Sequence, residues 1–323
     1  MEDSCKWFPR RFSQIIPRCT LNAEGRQPAI QTEGLTIDWQ KTGKLDFSLS
    51  GMTSFQMKRR ESTESPEYWN SVAENLLPEV SCGLWRRYAD ALNASLIERF
   101  LPGSIALKRA LKTDLFDESL GLGLAQAMNN KSQEAWGIDL SFSTARSASR
   151  KNSDCIPVNS DIRNPGFRKG SFSLVVSNST LDHFSSEDEI REALRAISFL
   201  LEPGGHLIWT MDNPLNPIIW IRNTLSRRYG TLGTLLPYQM GKTWSLGRMA
   251  REIGRLGFLV RETGFFMHCP RMPVIRMLKF MDESNKRRAG EKSLQLLHAI
   301  EKLEALPTRQ LTAYYSALHA TKE

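Results

Sequence analysis

Apolar positions follow no clear period over residues 1 to about 65, where charges of both signs alternate with Gly, Ser, Thr and Pro. This predicts an irregular or partly disordered extension carrying at most a few short elements, such as Leu35-Thr36-Ile37-Asp38-Trp39. Helical spacing sets in near Glu67. Leu84, Trp85, Tyr88, Leu92, Leu96 and Phe100 fall on one face, and Leu101-Pro102-Gly103 closes the segment. A helical cap over residues 66–104 is expected.

From residue 105 to the end the period alternates between strand and helix. Strands are predicted at Ala110–Asp114, Ala135–Asp139, Ile156–Val158, Phe172–Ser177, His206–Met211, Leu259–Met267 and Tyr314–His319. Phe172-Ser173-Leu174-Val175-Val176-Ser177 is nearly all apolar, as a parallel strand covered on both faces requires. Helices are predicted from about Leu122, over Ser143–Arg150, along the face Ile190, Ala193, Leu194, Ile197, Leu200 and Leu201, over Ser245–Leu256, and over residues 285–304. Pro203-Gly204-Gly205 is read as the stop of the helix before the fifth strand. Serial strand–helix units imply an α/β fold with a doubly wound, Rossmann-like sheet. Residues 270–310 form a helical insertion before the last strand and are a candidate lid.

Composition changes this picture little. Hydrophobic residues make up 41% of the 323 and charged residues 24%, enough for a sizeable core. The net charge of +8 permits nucleic acid, anionic lipid or an acidic small substrate as partner. The basic residues are dispersed, however, and the runs Lys58-Arg59-Arg60 and Lys286-Arg287-Arg288 are short enough to be solvated faces. Nucleic acid is therefore not favoured. Cys5, Cys19, Cys82, Cys155 and Cys269 show no metal-ligand spacing, so no metal is expected, and a reducing compartment fits them. No apolar run reaches the length of a membrane span, and the segment after Met1-Glu2-Asp3 lacks a signal-peptide core. These features point to a cytoplasmic protein.

In a doubly wound sheet, ligands bind beyond the carboxyl ends of the strands. The first predicted strand runs into Lys112-Thr113-Asp114-Leu115-Phe116-Asp117-Glu118, followed by Gly121 and Gly123. The glycines permit close backbone approach to a ligand, or make a plain tight turn. Asp139 ends the second strand, where an acid accepts from ribose hydroxyls; Asp161 follows the third, placed to accept from an adenine amino group beside apolar Ile162. Either acid alone serves equally as a helix cap or a solvated carboxylate. The two together favour a nucleoside.

The ordered segments Gly137-Ile138-Asp139-Leu140-Ser141, Asn159-Ser160-Asp161, Leu174–Asn178 with Leu181-Asp182-His183, and Leu201-Glu202-Pro203-Gly204-Gly205-His206-Leu207 resemble the motifs of class I S-adenosylmethionine-dependent methyltransferases. The resemblance covers roughly residues 105–268. It implies a seven-stranded sheet and S-adenosylmethionine as cofactor. It places Gly121 and Gly123 against the cofactor, Asp139 on the ribose, Leu140 on adenine, Asp161 and Ile162 on the adenine edge and face, and Asn178, Ser179 and Thr180 near the methionine part and the methyl group. One departure stands out. The family's first motif has an acid followed at once by Gly-x-Gly-x-Gly, whereas this chain has "LKTDLFDE". With that motif, Lys112 is a candidate partner of the methionine carboxylate, Asp114 or Glu118 of its ammonium, and Thr113 joins the same loop.

Methyl transfer needs a base when the acceptor is a hydroxyl or carbon acid. His183 and Asp182 are the candidates, although His183 serves equally as a packed helix-start residue. Asn213, Trp220 and His268 are candidates for the acceptor pocket. A small-molecule acceptor is expected. The altered first motif keeps a non-catalytic binding or scaffold protein as the alternative. A nicotinamide dehydrogenase is disfavoured, because Gln126 stands where that fingerprint has its third Gly or Ala.

Overall fold

The computed structural model describes residues 31–32, 35–36, 65–80, 83–103, 106–151, 154–229 and 241–323. The chain divides into two units, Met1–Glu61 and Ser62–Glu323. In the first, Gln31–Thr32 pairs antiparallel with Leu35–Thr36. The rest of the expected extension, the run Lys58-Arg59-Arg60, and Cys5, Cys19 and Cys82 lie outside the described residues.

The second unit opens with helices α1 (Pro66–Val80) and α2 (Gly83–Phe100). The α/β region follows: β1 (Leu107–Lys112), α3 (Phe116–Leu120), α4 (Ala125–Asn129), β2 (Ser132–Asp139), α5 (Phe142–Lys151), β3 (Ile156–Asn159), β4 (Phe172–Asn178), a 3-10 turn (Leu181–His183), α6 (Glu187–Leu200) and β5 (Leu201–Asp212). After α7 (Pro217–Tyr229), α8 (Leu246–Gly254) and β6 (Phe258–Phe266) come α9 (Arg271–Glu283), α10 (Arg287–Ile300), a 3-10 turn (Glu301–Ala305), α11 (Arg309–Thr312) and β7 (Tyr315–Lys322).

The strands form one seven-stranded sheet in the order β3-β2-β1-β4-β5-β7-β6. β1 to β5 are mutually parallel, and β7 runs antiparallel between β5 and β6. Strand order reverses between β1 and β4, which creates a crevice at their carboxyl ends. The seven predicted strands are all present.

The central strands send alternate residues to two cores, as the period of two demands. On β1, Ala110 joins the core under α2, α9 and α10, while Leu111 joins the core under α6 and α8. On β5, Ile208 faces the first core, and Leu207, Trp209 and Met211 face the second. α6 begins with a capping box between Ser186 and Glu189 and buries Ile190, Ala193, Leu194, Ile197 and Leu200.

Three boundaries differ from expectation. β1 ends at Lys112, leaving Asp114 in the turn beyond it. The helix expected from Leu122 is replaced by α3 and α4, because Phe116–Leu120 already turns helical. Pro203-Gly204-Gly205 does not stop α6, which ends at Leu200. Instead β4 pairs Phe172 with Leu201 and then Leu174 with His206, so Glu202–Gly205 bulges out of the ladder. Gly204 there has φ +77°, and a Cβ on Gly205 would meet the Glu202 carbonyl oxygen at 2.8 Å.

Candidate functional site

The crevice at the switch point deepens into a cavity that gathers the ends of β1 to β5. Thr113, Asp114, Phe116 and Asp117 line it after β1; Asp139, Leu140, Ser141 and Thr144 after β2; Ser160, Asp161 and Ile162 after β3; Asn178, Ser179, Thr180, His183 and Phe184 after β4. Helices close it from above. α1 contributes Trp69, Val72 and Ala73, and α2 contributes Trp85, Arg86, Ala89 and Asn93. The wall is completed by Asp212, Met267, Arg271 and Tyr315. Asn70 ties α1 to the β2–α5 turn, its carboxamide oxygen accepting from the hydroxyls of Ser141 (2.7 Å) and Ser143 (3.1 Å). Ser179 (φ 53°) and Met267 (φ 60°), both lining residues, hold left-handed backbone without being glycine, the kind of strain that concentrates at functional sites.

Asp139 sits where β2 ends. Its Oδ2 accepts from the Leu115 amide at 2.9 Å and its Oδ1 from the Ser141 amide at 2.8 Å. Each oxygen keeps lone-pair capacity for a further donor. Burial pushes the carboxyl up to about 7 despite those two amides. The loop reaches Asp139 because Gly137 leaves room for Leu115; a Cβ there would meet a Leu115 methyl at 2.2 Å. Asp161 at the next strand end is held by Arg163, whose Nη2 donates to Oδ2 at 2.6 Å. Leu140 and Ile162 supply apolar surface between the two acids.

The turn after β1 is charged where a glycine loop was looked for. Lys112 is 1% exposed, and its ammonium donates to Glu118 Oε2 (2.8 Å), Asp114 Oδ1 (3.1 Å) and the Asp114 carbonyl (3.2 Å). Burial works against its charge, but Asp114, Glu118 and Asp117 outweigh it and raise the amine well above its ordinary value. Glu118 is wholly buried, and its second oxygen accepts the Leu124 amide at 2.8 Å. Asp117 faces the cavity and pairs with Arg86 at 2.8 Å. Burial pushes Asp117 up, yet Arg86, Lys112 and Arg271 together hold it down at about 2. A hydroxyl relay from Thr113 to Thr180 (2.8 Å) and from Thr180 to Asp114 Oδ2 (2.9 Å) joins this turn to the end of β4.

Several residues assigned from the sequence lie away from the lining of this cavity. Gly121 and Gly123 do not line the cavity. They follow α3, one helical excursion past the strand end, and border a shallower pocket with α2 and α10 residues such as Arg87 and Leu294. Lys112 and Glu118 pair with each other and are absent from the cavity lining. Asp182 is also behind the wall. Its Oδ2 accepts from the Ser179 hydroxyl and the Asp212 amide, both at 2.9 Å, which makes it a clamp on the loop, not a base in the cavity. Asn213 is buried, donating to the carbonyls of Gln310 (2.7 Å) and Ala313 (3.0 Å). Trp220 is 59% exposed on the outer face of α7, and His268 is buried against Thr312 at 2.8 Å. None of these three lines the cavity. His183 does, edge-on to Trp69 with ring centroids 5.2 Å apart.

Sequence reasoning missed Phe116, Asp117, Arg86, Trp69, Trp85, Arg271 and Tyr315. Asp117 and Phe116 had a usable signal, since the motif counted directly from the strand end places them where the family has its glycines. The others come from helices and a distant strand, and no local spacing marks them. Among the described residues, no group of three or more His, Cys, Asp or Glu is placed to hold a metal, and no helix is long and apolar enough to cross a membrane.

Residues 119–209 match the family described as methyltransferase domain. Solved structures similar to this chain include an S-adenosylmethionine-dependent methyltransferase from Mesorhizobium loti (15% identity over 71% of this chain and 96% of that one, TM-score 0.44). Another is from Archaeoglobus fulgidus (16% identity, 71% and 93%, TM-score 0.45). A third is phosphoethanolamine N-methyltransferase 2 of Haemonchus contortus, in complex with phosphomonomethylethanolamine and S-adenosylhomocysteine (18% identity, 71% and 52%, TM-score 0.44). No curated protein matches the chain in sequence. The match runs from the end of α3 into β5, inside the sheet of order β3-β2-β1-β4-β5-β7-β6.

Proposed function

We propose that the protein transfers a methyl group from S-adenosylmethionine to a small-molecule acceptor bound under α1, α2 and α9. The observation that carries this reading is one continuous cavity. Its lining brings together Asp139, Leu140, Asp161 and Ile162 from the ends of β2 and β3, Asp114, Asp117 and Asn178–Thr180 from the ends of β1 and β4, and the aromatic side chains of Trp69, Trp85 and Tyr315. The donor set fits the cofactor part by part. Asp139 has an acceptor oxygen for each ribose hydroxyl, Leu140 and Ile162 sandwich a base, and Asp161 meets its edge. Asp117, held ionised, faces an ammonium, and Arg86 beside it faces a carboxylate.

The bound cofactor supplies an electrophilic methyl on a sulfonium. The chain's own work is to orient the acceptor in line, to exclude water with Trp69, Trp85 and Met267, and to take a proton where the nucleophile carries one. His183 is the cavity-lining group suited to that proton. The enclosing helices favour a small acceptor over a nucleic-acid strand.

Calorimetric titration with S-adenosylmethionine and S-adenosylhomocysteine, with NAD as control, tests the site. Micromolar binding of the first two and none of NAD is expected. Asp139→Ala removes two hydrogen bonds to a charged acceptor and should weaken S-adenosylhomocysteine by roughly tenfold to a few hundredfold. Unchanged affinity would remove the ribose assignment. The non-catalytic alternative draws on the glycine-free turn after β1 and predicts binding with no turnover for any acceptor.

A further inference from the structure

α9 and α10 are consecutive helices joined by three residues, 284–286. α9 turns Val274, Ile275 and Leu278 to the core, and α10 turns Leu294 and Leu297 to it. A surface helix ordinarily presents polar residues on its other side. Here that side of α9 carries Pro273, Arg276, Met277 and Phe280, a single stripe at i, i+3, i+4 and i+7, all exposed. On α10, Arg288, Lys292 and Leu296 repeat every fourth residue and are exposed as well. Met277 is 39% exposed, Phe280 57% and Leu296 63%. Two contacts join the helices, the Ser293 hydroxyl on the Met281 sulfur at 3.5 Å and the Lys286 ammonium over the Phe280 ring at 4.6 Å, so the two stripes flank one seam. The charge along this seam is one-sided. Among the described residues, Arg276, Lys279, Lys286, Arg287, Arg288 and Lys292 form no ion pair with an acid. The acids of these helices are fewer and partly engaged: Glu291 pairs with Arg87 at 2.6 Å, and Asp282 accepts the Leu84 amide at 3.1 Å.

We propose that the outer face of α9 and α10 docks on an anionic lipid bilayer, with Met277, Phe280 and Leu296 entering the acyl boundary while the basic residues meet the lipid headgroups. Scattered apolar side chains on a surface need no partner, and a short basic run alone is a solvated face. The two together on one face are what an interfacial helix uses: large side chains that gain by leaving water, within a positive field that an anionic leaflet attracts. A nucleic-acid strand would satisfy the cations but leave Met277 and Leu296 in water, and Phe280 is the one aromatic ring on these stripes that a base could stack on. Docking in this way needs no helix that crosses the bilayer. The first residue of α9, Arg271, lines the cavity, so a bilayer on this face lies within a helix length, about 20 Å, of that lining. The proposal stands apart from what the cavity binds.

The test is co-sedimentation of the full chain with phosphatidylcholine vesicles, pure or with about a third phosphatidylserine. Binding to the anionic vesicles is expected to be at least about tenfold tighter than to the neutral ones, and to weaken as salt rises. Arg288→Gln together with Lys292→Gln should weaken it by about tenfold, at a few-fold per cation. Phe280→Ser together with Leu296→Ser should weaken it by a similar factor at constant charge, which adsorption by charge alone would not show. All four side chains are exposed, so both pairs should keep the wild-type melting transition. Should the Phe280 pair lose it, Leu296→Ser alone decides the apolar contribution. Equal affinity for the two vesicles, binding to neither, or unchanged binding in either pair overturns the proposal, the last because it puts the lipid contact elsewhere in the chain. So does a single-stranded RNA that binds tighter than the anionic vesicles and loses affinity in the Arg288 pair but not in the Phe280 pair, since the face then reads a phosphate backbone.

Discussion

Lys112 and Asp139 show how burial decides what a charged residue is for. Lys112 is surrounded by three acids, and removing it leaves them facing one another inside the fold. Lys112→Met should therefore cost about 3–5 kcal/mol, read from urea midpoints. Adding Glu118→Leu to it should recover part of that loss, because a buried pair replaced by apolar residues of similar size is often tolerated. If the single variant is as stable as wild type, the cluster is not a structural device. Asp139 is different, because the cavity opens onto it. In the ribose role proposed above, its carboxyl, pushed up to about 7, ionises to accept from two hydroxyls. Binding of S-adenosylhomocysteine should then release a proton and tighten between pH 6 and pH 8. The calorimetric heat should vary with the buffer's ionisation enthalpy, and Asp139→Asn should abolish that variation. A wild-type heat independent of buffer would contradict this role.

Among the elements, the helical insertion from α9 to α11 is fastened at both ends. Leu84 of α2 donates its amide to Asp282 at 3.1 Å, and Gly290 lets α10 close on Leu84, a Cβ there meeting its methyl at 2.6 Å. At the far end Asn213 and Asn216 donate to the carbonyls that close α11. Asn213→Ala removes the side-chain donor from the Gln310 carbonyl and one of two from the Ala313 carbonyl, at about 1 kcal/mol. Amide exchange should quicken locally over residues 309–315 while cofactor affinity stays put; a uniform loss across the sheet would mean that Asn213 supports the whole domain. In the insertion, α10 was legible from Leu294, Leu297, Ile300 and Leu303, and the strands from their apolar runs, because both signals are local. Asp139, Leu140, Asp161, Ile162 and Asn178–Thr180 were legible for a related reason: a residue just past a parallel strand must sit at the crevice. Arg271 and Trp69 were not, since what brings them to the cavity is packing between elements far apart in the chain. Gly121 and Gly123 misled because a glycine marks a turn but not which side of the sheet the turn faces, and α3 moves them away.

The molecule as a whole sets two titrations against each other. On β7, His319 lies between Phe100 and His206, with ring centroids at 5.8 and 5.2 Å, and its Nε2 is 3.0 Å from His206 Nδ1. A hydrogen bond between two imidazoles holds one proton, so the pair favours neutral rings. Burial, then His206, pushes His319 down to about 4; burial, then Arg261, lowers His206. Glu262 pulls His319 the other way but does not prevail. The unfolded chain therefore binds more protons than the folded one between about pH 4 and the ordinary histidine value near 6.5, and over that window this pair makes stability fall with acidification. Asp139 acts with the opposite sign. Its folded value near 7 lies above the unfolded carboxylate value, so the folded state holds a proton that the unfolded state has lost, and stability falls as pH rises from about 4 to 7. Each proton contributes a slope of at most about 1.4 kcal/mol per pH unit. Urea midpoints from pH 5 to pH 8 should separate the two. His319→Phe keeps the stacking on Phe100 and should tilt the profile toward greater stability in acid, whereas Asp139→Asn should tilt it toward greater loss in acid. A bound cofactor that ionises Asp139 should imitate the second tilt in the wild type, with its stabilisation larger at pH 8 than at pH 6. Parallel profiles for the two variants would show that neither buried group titrates as its surroundings require.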